Sequence, residues 1–236
     1  MNLFIIPLIG VIVSGVFIFV LFQIFLKRLR MVHETILGSP LTQIGENSRG
    51  YKKIKCRVFS NNSINSPYSG QDCVFWELAF FESRETLEAI VRFNSNSSFE
   101  VVCGLKTLNV NPLASADFGS PSFEKEFLIS EISAELKKLG KSHLKRYFQA
   151  QQNVVLREYT IKQNEELDLC GNLVSRSSGS IDCKSEPFMP VIFNPTVEAA
   201  KQYLKKSKAL SLRGWIILIF DLMVAAVIVQ ILMFSG

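Results

Sequence analysis

The residues able to do chemistry are few. The chain of 236 residues has five cysteines, Cys56, Cys73, Cys103, Cys170 and Cys183, and two histidines, His33 and His143. A cysteine nucleophile needs a base within hydrogen-bond reach. Neither histidine stands in a nucleophile pattern, so a pair such as Cys73 with His143 would have to be assembled by the fold. Cys73 follows a turn and opens an apolar stretch, where a buried small hydrophobe is expected and a reactive thiol is not. Zinc sites use closely spaced Cys and His pairs, and no Cys-x-x-Cys occurs in the sequence. Gly-rich phosphate loops are absent too. The expectation is no catalytic residue, no metal ligand and no cofactor.

One charged residue is out of place. Asp221 stands alone among charges in the apolar run Trp215 to Phe234, and Leu3 to Phe25 carries no charge at all. Each run matches the roughly 20 residues that cross a bilayer core as a helix. Met1 and Asn2 lack the basic character of a signal peptide's start, so the first run reads as a retained anchor. Asp221 lies roughly 10 Å along its helix from Arg213. Gln23 is at a comparable depth on the first helix by residue count, which predicts a Gln23–Asp221 hydrogen bond joining the helices. Gly10 and Ser14 form a small-xxx-small step suited to close helix approach or to oligomer contacts.

Basic residues set the expected topology. Lys27, Arg28 and Arg30 follow the first helix; Lys201, Lys205, Lys206, Lys208 and Arg213 precede the second. By the positive-inside rule the central part is cytoplasmic and both termini are outside. An odd cysteine count agrees with a reducing compartment. The net charge of +5 is read as attraction to anionic headgroups, not as nucleic-acid binding.

The elements that must position these residues follow from periodicity. The divisions are a membrane helix at 3–26, a juxtamembrane linker at 27–50, a β-rich domain at 51–195, a juxtamembrane helix at 196–213 and a second membrane helix at 214–234. Lys53 to Val58 alternates as a half-buried strand does. A turn-rich run from Ser60 to Asp72 comes next, then strands over Cys73–Phe81, Glu88–Phe93, Phe99–Cys103 and Leu105–Val110. Ile132, Leu136, Leu139, His143 and Tyr147 recur at helical spacing and predict a helical insertion at 123–149, with Gly140 as its weak point. Strands resume at Val154–Ile161, Glu166–Leu173 and Phe188–Phe193, with a Ser/Gly turn at Ser177–Ser180. The fold class is an α+β membrane protein: two transmembrane helices flank a small barrel-like or OB-like domain.

Several of these stretches resemble known motifs, in order. Ser66-Pro67-Tyr68-Ser69-Gly70-Gln71-Asp72-Cys73-Val74-Phe75-Trp76 resembles the SPxSGxxC signature of GIDE-domain (MULAN-like) membrane proteins. Asn111 to Asp117, Arg157-Glu158 with Glu165 to Gly171, and Pro187 to Phe193 resemble further segments of that family. The resemblance implies a helix–domain–helix layout and kinship with mitochondrial ubiquitin ligases. In those relatives the matching domain faces the intermembrane space. Those ligases carry a RING, whose two zinc ions take about eight Cys/His ligands. Five cysteines and two histidines cannot supply them. The expected function is therefore a membrane-anchored scaffold or regulatory binding protein with an unknown protein partner. Pro67, Tyr68, Ser69, Gly70, Cys73 and Trp76 are its candidate contact residues. The alternative is a ubiquitin-transfer adaptor that borrows a RING from another chain.

Overall fold

The computed structural model describes the chain apart from residues 1, 46–47, 61–62, 87–88, 113–116, 119, 149–152, 176–179, 187 and 235–236; side chains at 2–8, 11–12, 117–118 and 232–234 are also outside the description. The chain forms two compact units, Met1–Leu37 with Val197–Gly236, and Gly38–Thr196.

The first unit is a pair of helices, α1 (Asn2–Leu37) and a C-terminal helix (Val197–Phe234). They run antiparallel. Gly15 lies beside Asp221, Phe22 beside Gly214, and the His33 Nδ1 bonds the Ala200 carbonyl at 2.9 Å. Beyond the apolar runs, Leu26, Leu29, Val32 and Ile36 are buried on one helix, and Ala200, Tyr203 and Ser207 on the other. That three-and-four spacing is a helix-packing seam, and it corrects the expected linker. Residues up to Leu37 continue α1, and the extended part begins at Gly38. At about 1.5 Å per residue the helices run about 54 and 57 Å, well beyond a core of about 30 Å. Among the described residues one helix, Val197–Ile231, is long and apolar enough to cross a membrane, and its apolar stretch is almost wholly exposed. The protein is membrane-associated through this helix.

The second unit is β-rich. Its first strands are β1 (Gly50–Phe59), β2 (Ile64–Asn65), β3 (Asp72–Cys73), β4 (Phe75–Phe81) and β5 (Val91–Asn94). Then come β6 (Phe99–Cys103), β7 (Lys106–Asn111), β8 (Asp117–Phe118) and β9 (Phe123–Leu128). Helix α2 (Ile129–Lys138) and a 3-10 helix (Ser142–Phe148) follow. The last strands are β10 (Asn153–Ile161), β11 (Glu166–Ser175), β12 (Ile181–Lys184) and β13 (Ile192–Phe193). The C-terminal helix is α3.

Five strands close on themselves in the order β1-β6-β7-β12-β11 and back to β1. All neighbours are antiparallel except β7 and β12. Alternation supplies the interior: Ile54, Cys56 and Val58 from β1 meet Val101, Leu108, Leu169 and Cys183. Phe75, Phe99 and Phe193 complete this core, their ring centroids 6.0–6.2 Å apart. Burying each such ring contributes about 1.5–3 kcal/mol.

Two insertions leave the barrel, one between β1 and β6 and one between β7 and β11. They pair with each other as a second sheet, β5-β4-β10-β9. The expected helix at 123–149 is corrected here. Phe123–Leu128 is strand, α2 covers ten residues, and a 3-10 helix follows. Phe123 and Phe127 are four apart, a spacing that suits a strand face as well as a helix face. Gly140 ends α2 at φ +66. Its N–H bonds the Lys137 carbonyl and that of Lys141 bonds Leu136, a Schellman stop that needs a left-handed residue. The strand expected at Phe188–Phe193 shrinks to Ile192–Phe193, because Phe188 has φ +63 and Glu186 bridges Met189. The strand expected at Glu88–Phe93 begins at Val91. The expected turn at Ser177–Ser180 falls almost entirely outside the described residues.

Gly171 on β11 is fixed by packing: a Cβ there would collide with the Cys183 thiol and touch Val191. Gly171→Ala should therefore lower stability by about 1–3 kcal/mol. In thermal unfolding of the full chain, Cys183→Ala in the same molecule should restore part of that loss. Equal midpoints for wild type and Gly171→Ala would show that the barrel is not this tight.

Candidate functional site

The Ser66–Gly70 loop is built around a carboxylate. Glu158, on β10, is completely buried. Its Oε1 accepts the Tyr68 N–H and its Oε2 accepts the Ser69 N–H, each at 2.9 Å. The Glu158 carbonyl accepts both the N–H and the hydroxyl of Ser122 at 2.8 Å. Charge-assisted bonds of this kind contribute about 1.5–3 kcal/mol each. The loop also bonds within itself. Ser66 and Ser69 hydroxyls are 2.6 Å apart, and the Gln71 N–H donates to Ser66 Oγ at 3.1 Å. Gly70 completes the turn at φ +63.

Tyr68 carries the loop onto the second insertion. Its ring stacks on Phe123 at 5.8 Å and meets Phe127 edge-on at 6.4 Å. Its hydroxyl donates to Glu135 Oε2 at 3.1 Å, and Glu135 pairs with Lys138 at 2.7 Å. The Lys138 and Tyr68 bonds hold the Glu135 carboxyl below its usual range, while burial and the Glu135 charge push the Tyr68 phenol up. Pro67 and Gly70 remain exposed, Tyr68 and Ser69 are half-buried, and Trp76 meets Phe93 edge-on at 6.5 Å. The candidate contact residues thus lie on one loop and the strand it leads into. Glu158 is the residue that organises the loop. In the sequence it stands in the Arg157-Glu158 segment, with no sign of this role.

Beside the loop is an open polar groove of about 550 Å³, lined by Gln71, Ser122, Thr160, Lys162, Gln163, Asn164 and Glu165. β10 reaches Ile161 while its ladder with β9 ends at Glu158, so the groove lies where that edge is uncovered. Lining groups are amides, hydroxyls and charges, fit to hydrogen-bond a polar segment.

The thiols are placed differently. Cys73 is buried and donates to the Ile64 carbonyl at 3.3 Å; burial and the nearby Glu158 and Asp72 push it up to about 11. Burial pushes Cys56 and Cys170 up to about 12, and raises Cys103 and Cys183 as well. His143 is exposed on the 3-10 helix, and no hydrogen bond links it to Cys73. Among the described residues no three of His, Cys, Asp and Glu converge as metal ligands would.

In the helix pair, Gln23 is exposed and Asp221 faces Gly15 instead. Gly10 is exposed with open space around it, and Ser14 is exposed too. The small residue at the close approach is Gly15, one position beyond the expected step.

Comparison with known families, curated proteins and solved structures finds no match. The raised thiols give a direct check on the site's chemistry. A thiol whose pKa is raised stays protonated, and so unreactive, well above pH 8. At pH 8 all five cysteines should resist alkylation in the folded chain and all should react in denaturant, read by mass spectrometry. Rapid labelling of Cys73 in the folded chain would restore it as a nucleophile.

Proposed function

We propose that this chain is a two-pass membrane protein that presents its barrel domain to a protein partner, as a scaffold or regulatory binding protein. The observation that carries the reading is the open polar groove beside the clasped Ser66–Gly70 loop. The loop's backbone is fixed before any partner arrives, which lowers the ordering cost of binding. The barrel's strand order supports the reading. Counting barrel strands alone, the order is first-second-third-fifth-fourth with a parallel third–fifth pair, the OB-type arrangement. Such barrels bind ligands with their second and third strands and the adjoining loops. Here the loop after the first strand has grown into the insertion that carries Pro67 to Gly70. The GIDE-like motifs point the same way, and a ubiquitin-transfer adaptor with a RING from another chain rests on those motifs alone.

The uncharged run Leu3–Phe25 within the 36-residue α1 supports the second membrane pass. The basic flanks support a cytoplasmic domain. Both parts of the proposal have tests. Photo-crosslinkers at Pro67 and Gln163 should each give discrete adducts in native membranes, and one at Lys137 should not. Equal adducts at all three positions would contradict the groove as the docking surface. Because the native thiols are buried, a Ser63→Cys variant can report topology directly. It should escape a membrane-impermeant maleimide in intact cells and react after permeabilisation; labelling of intact cells would place the domain outside.

A further inference from the structure

One rung of the second sheet is left unmade, and it opens on the polar groove. Along β10 successive main-chain groups point to opposite sides. The Ile161 carbonyl accepts the Val74 N–H on the β4 side, and the Glu158 carbonyl accepts the Ser122 N–H on the β9 side. Thr160 therefore aims its N–H and carbonyl as Glu158 does, towards β9. The β9 ladder stops short of it, with Phe123 opposite Glu158. Ser122 turns both its N–H and its hydroxyl to the Glu158 carbonyl. Among the described residues the outward pair of Thr160 has no partner, and Thr160 lines the groove.

The edge closes again just beyond. The Lys162 N–H donates to Glu165 Oε2 at 2.9 Å, and the Glu165 N–H donates to the Lys162 carbonyl at 3.4 Å. The edge thus offers the donor and acceptor of a single residue. Glu165, the one acid lining the groove, is engaged in this turn. Lys162 is exposed, and its ammonium is in no ion pair among the described residues.

A donor and acceptor so placed match the main chain of one residue in an extended peptide, which returns both bonds. A helical segment cannot, because its N–H and carbonyl groups bond one another. All neighbours in this sheet are antiparallel. In that direction the residue two places N-terminal to the paired one comes level with Lys162, on the same face. Opposite charges across a strand pair attract and like charges repel, so an acid fits that place. Past Thr160 the position is taken by Phe123, and the segment must leave the edge there.

Resting on the reading that this groove docks a protein partner, we propose that the partner enters as an extended segment. One of its residues pairs with Thr160 as an added antiparallel strand, and an acidic side chain two residues earlier meets Lys162. The main chain supplies the attachment, and Lys162 sets the register.

The test uses the full chain in detergent micelles, with isotope-labelled threonine, and three capped tetrapeptides. The first reads glutamate, valine, threonine, valine. The second is the same with its threonine amide N-methylated, and the third has lysine in place of glutamate. The first peptide, at millimolar concentration, should slow hydrogen exchange at the Thr160 amide. N-methylation should weaken that effect about ten-fold. The lysine peptide should be about three-fold weaker on wild type, and Lys162→Glu should reverse the preference. No slowing at Thr160, or equal slowing by the N-methylated peptide, would overturn the added strand. A glutamate preference that survives Lys162→Glu would overturn the role of Lys162. The photo-crosslinker at Gln163 tests the underlying reading separately. Adducts in native membranes with Thr160 unmoved by the peptide would overturn this inference alone; no adducts would overturn the reading and this inference with it.

Discussion

A buried carboxylate holds this domain's two insertions together. Glu158 is removed from water, and its oxygens bond the backbone of Tyr68 and Ser69. Removing a charge from water costs several kcal/mol unless each lone pair finds a donor. Here the donors come from a loop nearly ninety residues earlier in the chain. The same residue's carbonyl takes Ser122, and Tyr68 reaches Glu135 on α2. One acid thus fixes the loop, the start of β9 and the helix behind it.

Barrel closure shapes this arrangement. The five strands of the ring pair with one another, and of the two insertions only the two-residue β8 adds to that sheet, through β13 beside β11. Each leaves the ring and finds the other, giving β5-β4-β10-β9. The two faces of that sheet are covered differently. One packs Leu78, Phe80 and Leu156 under α2 and the 3-10 helix; the other holds Ala79, Phe81, Val155 and Tyr159. Arg157 reinforces the second face, lying over Phe81 at 4.4 Å and bonding Glu124 at 2.8 Å. The thiols are packing elements of the same kind. Cys183 occupies the space that Gly171 leaves open, and its burial keeps it protonated and inert.

Much of the barrel was legible because alternation is a local signal. β1, β4, β6, β7, β10 and β11 all lie where hydrophobic period and β-branched content place strands. β12 was missed. Ile181-Asp182-Cys183-Lys184 is four residues with two charges, and it reads as strand only once Asp182 is buried and paired with Lys184 at 3.1 Å. Yet it is the strand that closes the ring. Phe123–Leu128 was misread as helix because the helical spacing that starts at Ile132 was extended back over it. The candidate loop was legible as a motif and Glu158 as part of another, but the bond between them was not. No rule of spacing links Tyr68 to Glu158 across the sequence; that contact exists only after β4 and β10 pair. The intramembrane acid was found by composition, while its neighbour Gly15 depended on helix register, which residue counting from the basic flanks misjudged by about two turns.

The central claim is that the loop's polar residues are committed to holding it on Glu158, leaving a fixed surface for recognition. Backbone amide exchange of Tyr68 and Ser69 in the full-length protein, with and without Glu158→Ala, tests it most directly. The account predicts slow exchange at both amides in wild type and fast exchange at both in the variant, with the barrel amides of β1 and β11 unchanged. Fast exchange at Tyr68 and Ser69 in wild type, or no change on removing the carboxylate, would contradict it.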